Sequence, residues 1–210
     1  MKKTLQLFSL LALASAANAA TMLVDFGAIV TPGTSPAWNN FTNGAAGTSL
    51  ALVDTTNSAS GATLTINNAF FLLDENPAPS GSYPSTVSED AFFKDDNASM
   101  TLSGLNTSLT YNLTFFAYIN RADSRLTNIS INGGTAVPLQ PGMGTTTGNT
   151  ITFTNVAPSP TGTIDIGYSR GAGVGNLIIN ALEITSVPEP SSAMLLGALA
   201  ICPLLRRRRA

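Results

Sequence analysis

The clearest candidate for binding chemistry is an indole ring beside two amides, in the phrase TSPAWNNF. Trp38 is the only tryptophan, and its flat apolar face could stack on a pyranose ring. Asn39 and Asn40 each offer a donor and an acceptor to sugar hydroxyls. The competing interpretation is that Trp38 fills the core or covers one end of it. The prolines and amides around it predict a loop.

A second candidate group follows a long apolar segment, in the phrase YINRADSR. Tyr118 ends the segment, and Arg121, Asp123 and Arg125 come directly after it. Arginine forks pair with carboxylates or sugar hydroxyls in fixed geometry. A ligand contact and an internal ion pair with Asp123 or Asp90 are both consistent with this pattern.

A third group combines carboxylates with an amide and could ligate calcium, which prefers oxygen donors. Their spacing does not match an EF-hand loop, so a solvated acidic loop is the alternative. The residues are Glu89, Asp90, Asp95, Asp96 and Asn97.

The sequence offers no convincing catalytic set. Residues 167–171 read GYSRG and match the G-x-S-x-G pattern of hydrolase nucleophile elbows, but the chain has no histidine to accept the serine proton. The same absence excludes zinc sites built on histidine. Glu89 and Asp95 could be a glycosidase pair only at a separation that sequence does not give. We therefore expect a protein that is not an enzyme and that has no cofactor beyond calcium.

The elements that must position these residues are strands. Segments rich in Thr, Ile, Leu, Phe and Val recur between Gly, Asn and Pro residues, while helical periodicity is nearly absent. About ten short strands predict an all-β fold, an antiparallel two-sheet β-sandwich of the jelly-roll kind. The predicted strands are 21–27, 49–54, 62–67, 69–73, 98–104, 110–120, 126–133, 150–156, 162–168 and 177–185.

Charge and cysteine content narrow the partners. Residues 20–186 contain four basic and eleven acidic side chains, a net charge of −7, and no cysteine. Binding nucleic acid requires a basic surface that displaces counterions, so nucleic acid is not an expected partner. A Thr- and Asn-rich surface of low charge density suits contact with neutral polymers.

Both ends of the chain carry targeting patterns. Two lysines, an apolar run and an A-x-A site predict a signal peptide over 1–19, so we expect export. Residues 191–205 are an apolar stretch that spans about 22 Å as a helix, somewhat short of the ~30 Å hydrocarbon core. The arginines after it would stay cytoplasmic. This pattern predicts a single C-terminal transmembrane helix that stops transfer.

The order of features in the last 24 residues resembles the PEP-CTERM sorting signal of Gram-negative bacteria. The resemblance implies an exosortase-like membrane protease as partner, transient anchoring in the inner membrane, and release to the cell surface or extracellular matrix. Tails of this kind are also labelled as the C-terminal domain of ice-binding proteins. The residues that carry the resemblance are Val187, Pro188, Glu189, Pro190, Arg206, Arg207, Arg208 and Arg209.

The body resembles the galactose-binding-like jelly rolls of carbohydrate-binding modules. The likeness rests on LVDFG, WNNF, LSGLNTSLTYNLTFFAY and NALEIT. It implies the fold more than the function.

We expect three segments, a signal peptide (1–19), a β-sandwich (20–186) and a sorting tail (187–210). The function predicted is that of an exported, non-catalytic surface protein that binds or organises polysaccharide. A purely structural matrix protein is one alternative. Ice binding is another, suggested by threonines at 63, 65, 150, 152 and 154.

Overall fold

Strands make up most of the chain in this computed structural model, which describes residues 19–32, 35–74, 83–120, 125–143, 149–172 and 175–188. This confirms the all-β prediction. The strands are β1 (Thr21–Phe26), β2 (Trp38–Phe41), β3 (Ser49–Val53), β4 (Ala59–Ile66), β5 (Phe71–Asp74), β6 (Asp90–Lys94), β7 (Ala98–Ser103), β8 (Leu109–Ile119), β9 (Thr127–Ile131), β10 (Val137–Leu139), β11 (Gly142–Met143), β12 (Asn149–Val156), β13 (Ile164–Arg170), β14 (Leu177–Ile179) and β15 (Ala181–Pro188), with one short helix, α1 (Ser85–Glu89).

The first sheet runs in the order β11–β8–β15–β1–β2, and β12 also pairs with β8. β1 is antiparallel to β15, with Thr21 opposite Thr185 and Asp25 opposite Ala181. β2 is parallel to β1, and β11 is parallel to β8. The prediction of purely antiparallel sheets is therefore wrong for these two pairs. The chain crosses back between β1 and β2 instead of turning in a hairpin, so both strands run the same way.

The second sheet runs in the order β10–β9–β13–β7–β4–β3. Its strands alternate buried and solvent-facing residues, which is the period expected of a sheet with one face on the core. Leu64 lies opposite Leu102, and Ile66 lies opposite Met100. All four of these side chains are fully buried, as their alternation in the sequence predicts.

One hydrophobic core joins the inward faces of the two sheets, which gives the sandwich-like arrangement that the sequence predicts. The first sheet contributes apolar side chains from β1, β8 and β15, and the second sheet contributes them from β4, β7, β9 and β13. The largest fully buried side chains include Tyr168, Phe26, Phe92, Phe115, Leu64, Ile66, Met100 and Leu102.

A third, three-stranded sheet in the order β14–β6–β5 contributes to the core. Phe92 on β6 is fully buried, with ring centroids 5.3 Å from Phe26, 5.9 Å from Phe41 and 5.5 Å from Phe70. The sequence predicts neither β6 nor α1, because the segment around them is interrupted by prolines and lacks a clear period. Packing against the sandwich supplies the order that local propensity does not.

Asn180 divides the predicted strand 177–185 into β14 and β15. Its side chain accepts a hydrogen bond from the backbone N of Tyr118 (2.7 Å) and donates one to the backbone O of Asp90 (2.6 Å). Its backbone N donates to Phe116 O, and its backbone O accepts from Phe26 N. Asn180 is 1% exposed and so links the first sheet to β6 through buried bonds.

We expect Asn180→Ala to lower the free energy of unfolding by about 2 kcal/mol, because it leaves a buried N–H and a buried C=O without partners. Urea unfolding followed by circular dichroism measures this loss. Asn43→Ala is the control, since the Asn43 side chain caps an exposed turn through a single bond to Ala45 N. Equal losses in the two variants would contradict the linking role.

The first and last residues of the chain segment that forms the sandwich lie side by side. Ala20 N donates to Ser186 Oγ (2.8 Å), and Ser186 N donates to Ala20 O (2.9 Å). β15 continues to Pro188, two residues past the predicted end of the body. Apart from Ala19, Val187 and Pro188, the predicted signal peptide and sorting tail lie outside the described residues. Among the residues that are described, no helix is long and apolar enough to cross a bilayer.

Candidate functional site

Trp38 begins strand β2 and lies on the outer face of the first sheet. It is partly exposed, whereas the sequence predicts a loop at this position. In register, Leu23 on β1 lies between Trp38 on one side and Glu183 on the other. Residues paired in this way share one face of a sheet. Met22 and Val24 point into the core, so the face that carries Trp38 and Glu183 is the outer one.

Tyr83 completes an aromatic pair with Trp38. The two rings meet edge to face with centroids 6.0 Å apart, and Tyr83 also packs on Phe116 at 4.5 Å. The pKa of Tyr83 is raised to about 12, mainly by burial and to a smaller extent by the negative charge of Glu183. We call Trp38, Tyr83 and Glu183 the outer-face aromatic site. It combines partly exposed aromatic faces with a carboxylate acceptor.

Residues 83–89, here called the cover segment, lie over this face. Val87 of α1 is fully buried in a cluster with Phe116, Tyr118 and Ala181, against which Trp38 and Tyr83 also pack. The cover segment therefore positions Tyr83 beside Trp38. Sequence reasoning identified Trp38 but not Tyr83 or Glu183. The signal that existed was the long proline-rich segment before Tyr83, since such loops are often functional.

The two asparagines after Trp38, which the sequence predicts to be ligand contacts, have structural roles in the fold. Asn39 is 5% exposed, and its amide bonds the backbone O of Leu23 and both the N and O of Val53. The Asn40 amide accepts from the backbone N of Thr31 (2.6 Å) and donates to its O (3.3 Å). Asn39 is therefore buried within the fold, whereas Asn40 is partly exposed, and its role as a ligand contact stays a prediction.

The predicted cluster after β8 is only partly within the described residues. Tyr118 is 3% exposed, so its side chain is buried beneath the cover segment and does not present a surface to a glycan. Arg125 is partly buried and packs close to Gly175. Arg121 and Asp123 lie outside the described residues, and their assignment as ligand contacts stays a prediction.

The acidic residues predicted to bind calcium do not form one cluster. Asp90 begins β6 and is buried, whereas Asp95 and Asp96 lie in the exposed turn after the strand ends. The Asp96 carboxylate accepts from the backbone N of Asn97 (2.7 Å), so it shapes its own turn. Within the ranges described, no set of three or more Asp, Glu, His or Cys side chains could hold a metal. The length of β6 separates Asp90 and the adjacent Glu89 from Asp95 and Asp96.

Asp90 lies instead near Asp25, a residue that the sequence analysis did not select. Both are 1% exposed. Asp25 Oδ2 accepts from the hydroxyl of Thr31 (2.5 Å), which is itself 2.8 Å from the hydroxyl of Thr86 on α1. Asp90 Oδ2 accepts from the backbone N of Ile29. The Oδ1 atom of each carboxyl has no hydrogen-bond partner among the described residues. We call Asp25 and Asp90 the buried carboxylate pair.

Burial dominates the electrostatics of this pair. It raises the pKa of Asp25 from 3.8 to about 7, against an opposing hydrogen bond from Thr31. It raises the pKa of Asp90 from 3.8 to about 7 as well, and the negative charges of Asp25, Asp74 and Glu89 add to the effect. At neutral pH a large fraction of each carboxyl is therefore protonated, unlike that of an exposed aspartate.

The G-x-S-x-G match at 167–171 lies in and just after β13, an extended strand. Ser169 is opposite Asn128 in a regular antiparallel ladder. A nucleophile elbow needs a sharp turn into a helix, and this segment supplies neither. Neither the sequence nor the geometry of 167–171 supports a catalytic role for Ser169.

The threonines that suggested ice binding lie on two different sheets. Thr63 and Thr65 are on β4 of the second sheet, and Thr150, Thr152 and Thr154 are on β12 of the first. Several of these hydroxyls bond to neighbouring side chains, with Ser49 Oγ and Thr65 Oγ1 2.8 Å apart and Thr114 Oγ1 and Thr152 Oγ1 2.9 Å apart. They do not make a single flat array.

A second exposed aromatic surface lies on the three-stranded sheet. Phe71 on β5 is 58% exposed, and its ring centroid is 5.4 Å from that of Phe93 on β6. Leu72 on the same strand is 42% exposed. This surface belongs to a different sheet from Trp38, which makes Phe71 a useful comparison for experiments.

No protein-family model matches the chain, and no curated protein matches it in sequence. Its structure is similar to the ANX2 ectodomain from Arabidopsis thaliana, with 14% identity and a TM-score of 0.54 over 82% of this chain and 51% of that one. It is also similar to Bacteroides uniformis beta-glucuronidase 2 covalently bound to cyclophellitol-6-carboxylate aziridine, with 13% identity and a TM-score of 0.52 over 78% of this chain and 17% of that one.

A looser likeness is to a family 35 carbohydrate binding module from Clostridium thermocellum, with 16% identity and a TM-score of 0.35 over 58% of this chain and 96% of that one. This TM-score is too low to establish a shared fold. The chain spans about half of the plant ectodomain and about a sixth of the glucuronidase. At such identities the two stronger likenesses show a common sandwich fold and do not show the function of this chain.

Proposed function

We propose that this protein is an exported, non-catalytic surface protein whose sandwich binds polysaccharide at the outer-face aromatic site. The observation that carries the proposal is the edge-to-face pair of Trp38 and Tyr83, with Glu183 beside it on the same face. A partly exposed aromatic face removes the apolar side of a sugar ring from water, and a carboxylate accepts hydrogen bonds from its hydroxyls.

The rest of the body supports a neutral, hydroxyl-rich partner. Its net charge of −7 disfavours polyanions. The solvent-facing positions of its strands carry mainly Thr, Ser and Asn. The fold shared with the two structural neighbours is compatible with such a role without specifying it. A purely structural matrix protein has the same surface but needs no aromatic pair, so the pair favours binding.

The export route that we propose follows from the two ends of the chain. A signal peptide would direct the protein across the inner membrane, and the apolar helix with its arginines would hold it there. An exosortase-like protease would then cut at the Pro-Glu-Pro sequence of 188–190 and release the protein to the surface or matrix of a Gram-negative bacterium. The support is the order of these features in the sequence.

The protein is non-catalytic in this proposal because Asp25 and Asp90, the two carboxyl groups with the most strongly raised pKa values, are each 1% exposed. A glycosidase needs both of its carboxyl groups in contact with substrate. Turnover of any glycan by the purified protein would contradict this part of the proposal.

We expect Trp38→Ala to weaken glycan binding at least about tenfold, or ~1.4 kcal/mol, because the stacking surface is lost. The measurement is a screen of the purified protein on a neutral glycan array and on exopolysaccharide from the producing bacterium, followed by titration of the best binder. Phe71→Ala is the matched control, since it removes an aromatic side chain that is more exposed than Trp38 and lies on another sheet.

Glu183→Gln keeps the shape of the site and tests the polar half of the contact. It should weaken the same glycan less than Trp38→Ala does. Unchanged affinity in Trp38→Ala, with affinity lost in Phe71→Ala, would move the binding site to the three-stranded sheet. Absence of saturable binding to every glycan tested would leave a structural matrix protein.

A further inference from the structure

We propose that Asp25 and Asp90 form a calcium site beneath the cover segment, completed by neutral oxygens of Thr31, Thr86 and nearby backbone. The site would join β1, β6 and α1, and it would hold the cover segment against the sheet. It does not depend on glycan binding.

The first support is the pair of unsatisfied oxygens. Asp25 Oδ1 and Asp90 Oδ1 lack partners among the described residues, although both side chains are 1% exposed. Buried polar atoms without partners are rare in proteins, and unpaired buried charges are rarer. Two such atoms, on carboxyl groups near enough to act on each other electrostatically, are what a shared cation would satisfy.

The second support is the local charge. The groups that act electrostatically on Asp90 in the described part of the chain are Asp25, Asp74 and Glu89, all of them carboxyl groups. Asp74 lies opposite Asp90 in the β5–β6 ladder, and Glu89 precedes it in the chain. A divalent cation neutralises two carboxylates at once, whereas one shared proton neutralises a single charge and a water molecule none.

The donor chemistry selects the ion. The chain has no histidine, and its one cysteine lies far along the sequence at position 202, so the ligands here are oxygens alone. Oxygen donors suit calcium and magnesium rather than zinc. Calcium accepts irregular arrangements at several distances, while magnesium demands near-ideal octahedral geometry. Two carboxylates from β1 and β6, with hydroxyls from the loop after β1 and from α1, form an irregular set that fits calcium better.

The neutral ligands are already aligned by hydrogen bonds. The Thr31 hydroxyl contacts both Asp25 Oδ2 and the Thr86 hydroxyl, which brings the loop after β1 next to α1. Gly27 has no side chain in the space that the Asp90 carboxyl occupies, so the backbone of this loop approaches Asp90 closely. Only two carboxylates converge, so we expect a dissociation constant of about 10⁻⁴ to 10⁻³ M, the range of extracellular calcium modules.

This site differs from the one that the sequence predicts and shares only Asp90 with it. Asp95 and Asp96 are exposed in the turn after β6 and take no part. The double variant Asp95→Asn/Asp96→Asn is therefore a matched control that removes two carboxylates without touching the buried pair.

The test is the melting temperature of the purified protein at pH 8 with 10 mM CaCl₂, against NaCl and MgCl₂ at equal ionic strength. We expect calcium to raise it by about 4 to 8 °C, from ligand linkage in a domain of this size. Calorimetric titration should give one calcium per chain. Asp25→Asn and Asp90→Asn should abolish the rise, and Asp95→Asn/Asp96→Asn should keep it.

Three results would overturn the site: no calcium-specific rise in the wild-type protein, a rise that survives in Asp25→Asn, or a rise that disappears in the Asp95/Asp96 control. If neither asparagine variant folds, the calcium-specific rise in the melting temperature of the wild-type protein is the test of the site. Protons compete with calcium for carboxylates, so the rise at pH 8 should shrink at pH 5. An equal rise at the two values of pH would rule the buried pair out.

Discussion

In the absence of divalent cations, we expect the free energy of unfolding to fall by several kcal/mol as the pH rises from 4 to 8. The cause is the buried carboxylate pair, since burial raises the pKa of Asp25 and of Asp90 from 3.8 to about 7. In the unfolded chain both groups release their protons near pH 4, while the folded protein retains them until about pH 7. The folded state binds more protons between these values, so its stability is lost as the pH rises through them.

The measurement is urea unfolding in a calcium chelator at half-unit steps from pH 4 to 9. Asp25→Asn should make the fall in stability shallower but not abolish it, because the amide does not titrate and because one of the three charges that act on the still buried Asp90 is removed. Asp95→Asn, in the exposed turn, should follow the wild-type profile. A stability that increases between pH 5 and 8 in chelator would show that the pair is ionised and satisfied within the fold.

Gly104→Ala should lower the free energy of unfolding by about 4 kcal/mol, the sum of backbone strain and forced repacking. Gly104 directly follows β7 and has φ +74°, a left-handed conformation that favours glycine. A Cβ there would lie far inside van der Waals contact with the carbonyl oxygen of Gly61. Because Gly61 belongs to β4, which pairs with β7, the clash cannot be relieved without distorting the second sheet.

Gly47→Ala is the matched control for this prediction. Gly47 has φ +82°, but a Cβ there would meet nothing within 4 Å. Gly47→Ala should therefore lower the free energy of unfolding only by the cost of the left-handed backbone, about 1 kcal/mol. Thermal and urea unfolding of the two variants separate the terms, and equal losses would show that the sheet absorbs the contact with Gly61.

Most of the strands could be predicted because their own residues specify them. Thr- and Ile-rich segments such as 98–104 and 162–168 alternate with period two and end at Gly, and the structure places β7 and β13 there. The prediction of a single strand over 177–185 was wrong, because Asn180 forms bonds with Tyr118 and Asp90 that lie far from it in sequence. Strand β2 was missed for a related reason, since it is ordered by parallel pairing with β1.

The candidate site was predictable in part. Trp38 was chosen by its chemistry, and it lies on the outer face of the first sheet. Asn39 and Asn40 were chosen by adjacency, but strand alternation turned Asn39 inward, and the amide of Asn40 binds the backbone of Thr31. Tyr83 and Glu183 could not be chosen, because folding alone brings the Tyr83 ring to Trp38 and places Glu183 on the same face, one strand beyond Leu23.

Local residues are enough to predict an acidic all-β body without histidine, between two predicted targeting segments. Composition and hydrophobic period depend on neighbouring residues, so they can be read without knowledge of the fold. Which polar groups are buried, and which of them come close together, depends on contacts between distant segments and is known from the structure alone. Asp25 reads as an ordinary polar residue in a strand, and Asp90 as one acid among several. Their burial side by side, each with an unsatisfied oxygen, follows from how the loop after β1 and the cover segment close over the sheet.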